Sequence, residues 1–266
     1  MEIDEHITAL RREATRFADA ARRAELDADI TYCPGWSMRD LVRHLSEIHL
    51  WAAANFVKRR GAARVWAPDE HTDLVEYWPD LAVFWPDDDD LIDWYLQTNA
   101  NLVHALESAP PDVAAPTFLP APSALAMWAR RQAHETSIHR YDAAYATGDT
   151  TGFDPAFAAD GVSELLYAFY GDGSRPQGRT SGLDRDHTIH VHAHDTGDDW
   201  YTSIGHRSIT RGRADAPADL TVTGTASDLY LALWNRGDDA GITATGDLAL
   251  LETWHTFTGP RWSLEY

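Results

Sequence analysis

Apolar residues in the first half of this chain recur at the spacing of a helix, and that pattern, repeated four times, constrains the fold more than any other feature. Ile3, Ile7, Leu10, Ala14, Phe17 and Ala21 advance in alternating steps of four and three, so they share one stripe of a first helix that needs a partner. After the Pro34-Gly35 turn, Ser37 and Asp40 have the spacing of a capping pair. Leu41, Leu45, Ile48, Ala52 and Phe56 then form the stripe of a second helix, expected to end near Gly61. A third helix is predicted around Leu91 to Glu107, with Leu91, Trp94, Tyr95, Thr98, Leu102 and Ala105 on its buried face. The acidic run Asp87 to Asp90 in front of it suits the positive end of the helix dipole and is assigned no chemistry. Ser123 can cap a fourth helix through Leu125, Ala129, Gln132, Thr136, His139 and Ala143, stopping near Gly148. Four such helices, with a long proline-bearing stretch between the second and third, predict an antiparallel bundle with one long crossover over residues 1–148.

From Thr147 the texture changes. Gly148, Thr150, Gly152 and Pro155 read as a linker, and Phe157 to Tyr170 as one more helix. Beyond it the apolar period becomes two: Thr188 to His194 and Trp200 to Ile204 flank Asp195-Thr196-Gly197-Asp198-Asp199 as a hairpin, with further strands near Leu220 to Thr223 and Ile242 to Thr245. Thr225 to Asp228 caps a helix over Leu229 to Asn235, and Asp247 opens another through Phe257. Residues 155–266 therefore read as a small α+β domain with a twisted sheet, and the whole as a two-domain α + α/β chain.

The charge narrows the partners. Acidic residues outnumber basic ones by 42 to 22, for a formal charge of −20, which repels a nucleic-acid backbone and an anionic membrane surface. No apolar run reaches membrane-spanning length, and Met1-Glu2-Ile3-Asp4-Glu5-His6 is polar where a secretory leader would be basic and then apolar. A lone cysteine cannot form an internal disulfide, so the expectation is a soluble cytoplasmic protein. Cys33 itself, in the turn Tyr32-Cys33-Pro34-Gly35-Trp36, reads as a small packed side chain.

Chemistry is suggested on the fourth helix. Glu135 and His139 stand four apart and project at nearly the same azimuth, on the side of Leu125, Trp128, Ala129, Gln132 and Ala143, while His134 is expected to point about 180° from Leu125 into solvent. An inward carboxylate and imidazole are costly unless paired or metal-bound. The spacing admits both a Glu–His hydrogen bond spanning the bundle and a metal site completed from another helix. His44 and His49 lie at opposite margins of the second stripe, and geometry does not choose between them. Two imidazoles and one carboxylate would suffice as the ligands of a catalytic divalent ion with positions left open. Separately, His190, His192 and His194 alternate onto one strand face, as a second metal site or as an exposed edge.

Two stretches carry a resemblance. Thr31-Tyr32-Cys33-Pro34-Gly35-Trp36-Ser37-Met38-Arg39-Asp40-Leu41-Val42-Arg43-His44-Leu45, with Trp51-Ala52-Ala53-Ala54 after it, resembles the N-terminal signature of the mycothiol-dependent maleylpyruvate isomerase family, related to DinB-like metalloproteins. Ala133-His134-Glu135-Thr136-Ser137-Ile138-His139-Arg140-Tyr141-Asp142-Ala143 is similar to that family's segment on helix four, and Ala218 to Trp234 to its smaller C-terminal domain. The resemblance implies a DinB-like four-helix metal-binding domain and a sterol-carrier-like α+β domain. It implies His44, Glu135 and His139 as ligands, zinc as the metal, mycothiol as thiol cosubstrate and a functional arginine from the second domain, for which Arg236 is the candidate. Arg236 also has a plain reading as a solvent-facing arginine at a helix end. Arg140 and Asp142, beside the metal motif, read either as residues that orient the ligands or as residues that stabilise the bundle, with the structural role favoured.

The activity so implied is activation of mycothiol for S-transfer to, or cis–trans isomerisation of, a small electrophile. A hydrolase using metal-bound hydroxide and a non-enzymatic small-molecule or metal binder are the competing readings; the first turns over without added thiol, and the second consumes none.

Overall fold

The computed structural model of the chain describes residues 1–56, 85–171, 181–215 and 217–258. It divides into two compact units, Glu2–Thr151 and Gly152–Tyr266.

Among its described residues the first unit has four helices: α1 (Ile3–Arg23), α2 (Met38–Ala54), α3 (Asp88–Ser108) and α4 (Ala124–Tyr145). The expected α1 stripe is buried from Ile7 to Ala21, and α1 packs chiefly along α4 while α2 packs along α3. Ser37 caps α2 in a reciprocal box with Asp40, and Ser123 caps α4 through the Ala126 amide, as the sequence predicts. The second helix is shorter than expected. It closes at Ala54 because Asn55 gathers its last carbonyls, the backbone amide taking Ala52 and Ala53 and Nδ2 donating to Trp51 O at 2.8 Å. Gly61 lies outside the described residues. The acidic run does fill the first turn of α3, but Asp88 has a further job: Arg39 Nε and NH2 clamp its two oxygens at 2.9 and 2.8 Å, tying the start of α3 to the start of α2.

Helix α4 departs from an amphipathic stripe, since 17 of its 22 residues are buried. One consequence corrects the sequence reading: His134 is fully buried, not solvent-facing, because α1 covers that side of α4 and sets the His6 ring edge-on to it at 6.0 Å. Another is a buried ion pair, Arg140 Nε donating to Glu13 Oε2 at 2.8 Å, which ties α4 to α1. Arg140 is thus a bundle-stabilising residue.

The second unit starts with α5 (Pro155–Ser163), which passes into a π-helical segment, Glu164–Phe169. The sequence reads this span as one helix; wider i to i+5 bonding over its last part is the difference. Among the described residues five strands follow, β1 (His187–Ala193), β2 (Asp198–Ile204), β3 (Ile209–Arg211), β4 (Leu220–Gly224) and β5 (Ile242–Gly246), in the order β3-β2-β1-β4-β5. The predicted hairpin is β1–β2, in register at Val191 opposite Trp200, and β1 and β4 run parallel. Three-residue β3 is too short to show a period. Ile189, Val191, Leu220 and Val222 are buried on the sheet face where α6 (Ala226–Leu233) lies, and α7 (Ala249–Thr258) ends the described chain. Gly161 of α5 sits so close to buried Tyr230 of α6 that any β-carbon would overlap its ring. No helix among the described residues is long and apolar enough to cross a membrane.

Candidate metal centre

The site begins with a turn. Gly35, at φ +88°, lets the chain reverse so that Ile30 N bonds Trp36 O at 2.9 Å and Trp36 N bonds Cys33 O at 3.0 Å, which buries Cys33 and Trp36 just ahead of α2. His44 follows two turns into α2. From α4, Glu135 and His139 project one turn apart. Glu135 Oε1 lies 3.2 Å from His44 Nε2 and 3.4 Å from His139 Nε2, and one ligand atom from each of the three falls within 4.8 Å of the others. His139 is 2% exposed, whereas His44 and Glu135 keep 15% and 16%, so access is from their side.

The surroundings orient each of these groups. Arg131 NH2, one turn back on α4, donates to Glu135 Oε2 at 2.8 Å, leaving Oε1 for the imidazoles. His139 Nδ1 donates to Asp142 Oδ2 at 2.9 Å, which directs Nε2 toward Glu135. Cys33 Sγ stands 3.5 Å from the same oxygen. The Trp36 indole meets His44 edge-on at 4.9 Å and stacks near His139 at 6.5 Å, an apolar wall beside both imidazoles.

Electrostatics divide the two histidines. Burial lowers the pKa of His44, and its hydrogen bond to Glu135 does not restore it, so His44 is neutral and has a lone pair to offer. Burial also opposes charge on His139, but hydrogen bonds with Asp142, Cys33 and Glu135 outweigh it and hold the pKa well above the imidazole range. Glu135 is pushed up by burial and pulled further down by His139, His44 and Arg131, so it remains a carboxylate. Two nitrogens and one carboxylate oxygen, with the far nitrogen of one imidazole tied to a second carboxylate, suit zinc or a similar divalent ion.

His49 does not join them. It is fully buried, bonds Thr136 Oγ1 through Nε2 at 2.9 Å, and burial lowers its pKa to about 3.

Residues 7–144 match the family described as the mycothiol maleylpyruvate isomerase N-terminal domain, and residues 156–253 match that family's C-terminal domain. The chain belongs to the mycothiol maleylpyruvate isomerase family, and so it is an enzyme. A crystal structure of the mycothiol-dependent maleylpyruvate isomerase superposes with a TM-score of 0.59 at 14% identity, covering 92% of this chain and 93% of that one. A histidine-to-alanine mutant of that enzyme superposes at 0.60, with the same identity and coverage. The fold is shared over that part of the chain. No curated protein matches the chain.

In this maleylpyruvate isomerase family member, Arg236 follows α6 in the second unit. It is 2% exposed and NH1 donates to Trp234 O at 2.8 Å, which overturns the reading of a solvent-facing arginine at a helix end. A tight turn buries it: Asn235, at φ +59°, reverses the chain, and the Arg236 amide returns to Leu231 O at 2.8 Å. The strand histidines do not gather as a trio. His190 Nε2 and His192 Nδ1 share Asp199 Oδ1 at 2.7 and 3.0 Å, His190 stacks on Tyr201, and His194 lies past the end of β1. Among the described residues they form no three-ligand grouping.

Sequence reasoning missed Arg131 and Trp36, and for Asp142 it favoured a bundle role over one in orienting the histidines. Helical spacing held the signal: Arg131 stands four residues before Glu135 and Asp142 three after His139, so both fall beside that pair on one face.

Proposed function

We propose that this enzyme uses a divalent metal to activate mycothiol for S-transfer to, or cis–trans isomerisation of, a small electrophilic substrate. The convergence of His44, Glu135 and His139 on one point is the observation that carries this reading. His44 Nε2, Glu135 Oε1 and His139 Nε2 would hold the ion. Zinc so held supplies Lewis acidity that keeps a bound thiol as thiolate at neutral pH.

This chain's residues do the rest. Cys33, buried and engaged with Asp142, is no nucleophile, so the reactive sulfur comes from the cosubstrate. Trp36 shields the ligands from water on one side, which strengthens every charge interaction there. Arg236 is the proposed anchor for an anionic part of the substrate or thiol, since a buried guanidinium meets a carboxylate in a strong two-point contact. In isomerisation the thiolate adds to an activated cis double bond, the resulting single bond rotates, and elimination returns the thiolate with a trans product. In conjugation the adduct takes up a proton and leaves. A free-thiol cosubstrate supports a reducing, cytoplasmic setting for the proposed activity.

Isothermal titration of mycothiol into zinc-loaded native protein and His44→Ala, with metal content measured on both, tests the proposal. Binding with proton release in the native protein, lost together with metal in the variant, is expected. Metal retained by the variant, or no thiol binding by loaded native protein, overturns it, and turnover without thiol would then indicate hydrolysis.

A further inference from the structure

On the buried flank of the cluster, Cys33 and Asp142 make a chain of contacts with His139. Asp142 has a side chain of 0% exposure and Cys33 is likewise fully buried, yet a carboxylate removed from water is unfavourable unless donors surround it. Here Oδ2 accepts from His139 Nδ1 at 2.9 Å and from the Cys33 thiol at 3.5 Å. Cys33 reaches this point because the Gly35 turn folds it inward, and Asp142 because it lies three residues beyond His139 on α4.

We propose that Asp142 and Cys33 are positioning residues for His139. Asp142 fixes the tautomer in which Nδ1 carries the proton, so that Nε2 aims its lone pair at the point shared with Glu135 Oε1 and His44 Nε2. The thiol, which stands within 4.8 Å of the His139 ring as well, donates to the same carboxylate oxygen. A thiol suits the place: at 3.5 Å it is a long, weak donor that steadies the oxygen without drawing it away from the imidazole, whereas a hydroxyl would have to come closer and compete for it. The one cysteine thereby acquires a role in the site that is neither nucleophilic nor merely space-filling. The same three side chains also place a sulfur, a nitrogen and an oxygen within 4.8 Å of one another, the arrangement of a rival second cation site. Burial and mutual hydrogen bonding favour the positioning role, because a cation there would have to displace both protons that now satisfy Asp142.

The inference rests on the metal reading of His44, Glu135 and His139, and its test separates the two. The full chain is stripped of metal and titrated with zinc against a chromophoric chelator, as native protein, Asp142→Asn and Cys33→Ala, and the histidine nitrogens of the 15N-labelled zinc forms are recorded by NMR. Expected are one ion per native chain, His139 with protonated Nδ1 and metal-shifted Nε2, affinity weakened about 10- to 100-fold in Asp142→Asn, and a smaller loss, about 3- to 10-fold, in Cys33→Ala. The thermal midpoint of each metal-free variant separates general destabilisation from loss of aim, since a structural role alone leaves the tautomer and the affinity of the folded fraction unchanged. Native affinity and an unchanged His139 signature in both variants overturn the positioning role and leave the metal site standing. Two ions per native chain, one of them lost in Cys33→Ala, overturn it in favour of the second cation site. No zinc uptake by the native chain removes the metal reading, and the positioning role falls with it.

Discussion

Arg131 and Glu135 form an ion pair within one turn of α4, NH2 to Oε2 at 2.8 Å, and this contact decides which carboxylate oxygen faces the histidines. With Oε2 held, Oε1 alone is left 3.2 Å from His44 and 3.4 Å from His139. Removing the guanidinium frees the carboxylate to rotate. Arg131→Gln is therefore expected to weaken zinc binding by about tenfold or more in a chelator competition. Undiminished affinity would show that the pair serves packing alone.

The contrast between the two imidazoles sets the pH dependence of metal uptake. His44 is neutral, but His139 lies between the carboxylates of Asp142 and Glu135 with its pKa well above the ordinary range, so without metal it is charged at neutral pH. A metal at Nε2 replaces that proton. Below the His139 pKa, zinc affinity is expected to rise about tenfold per pH unit, with about one proton released per ion. Calorimetry at one pH in buffers of different ionisation enthalpy counts the protons. Zero release, with affinity flat between pH 6 and 8, would mean that His139 is already neutral.

How far the sequence reached follows from which features have a local cause. The α1 stripe, the caps at Ser37 and Ser123 and the β1–β2 hairpin depend on neighbours a few residues away, and all appear where the pattern puts them. The i, i+4 spacing of Glu135 and His139 was equally readable. Which histidine joins them from α2 was not, because His44 and His49 both border the stripe; the family resemblance favoured His44, which the fold sets beside Glu135 while His49 reaches Thr136. His134 was misplaced for a related reason: a helical wheel finds the polar side of α4, and only the packing of α1 shows that this side is buried too. The Cys33 contact with Asp142 spans 109 residues of sequence and leaves no periodic trace.

His49 should make the protein sensitive to acid. Its pKa falls from 6.5 to about 3 on folding because burial penalises the charged ring. Between those values the unfolded chain binds a proton that the folded chain refuses, so stability drops as pH is lowered through this window and is unaffected by His49 above it. The contribution is about 1.4 kcal/mol per pH unit. Urea unfolding of native protein and His49→Gln, which can still meet Thr136, should give curves that converge by about this slope from pH 6 to pH 4. Parallel curves would show that His49 is protonated in the fold.

The Glu13–Arg140 pair should matter for stability far more than an exposed ion pair does. Both residues are at most 3% exposed, and Glu13 is held from three sides, with Arg140 Nε on Oε2 and Arg12 and Arg16 on Oε1. Arg140 also donates through NH1 to Thr151 O at 2.6 Å. The outer partners of Glu13, Arg12 and Arg16, are 43% and 54% exposed and add little. Truncating the acid strands a guanidinium between α1 and α4, so Glu13→Ala is expected to cost about 3–5 kcal/mol in urea unfolding, and removing both charges as Glu13→Met with Arg140→Met should recover much of that loss. Zinc stoichiometry should stay at the native value in the folded fraction of both variants, because neither residue touches His44, Glu135 or His139. A double variant less stable than Glu13→Ala would show that the pair contributes net stability beyond satisfying its own burial.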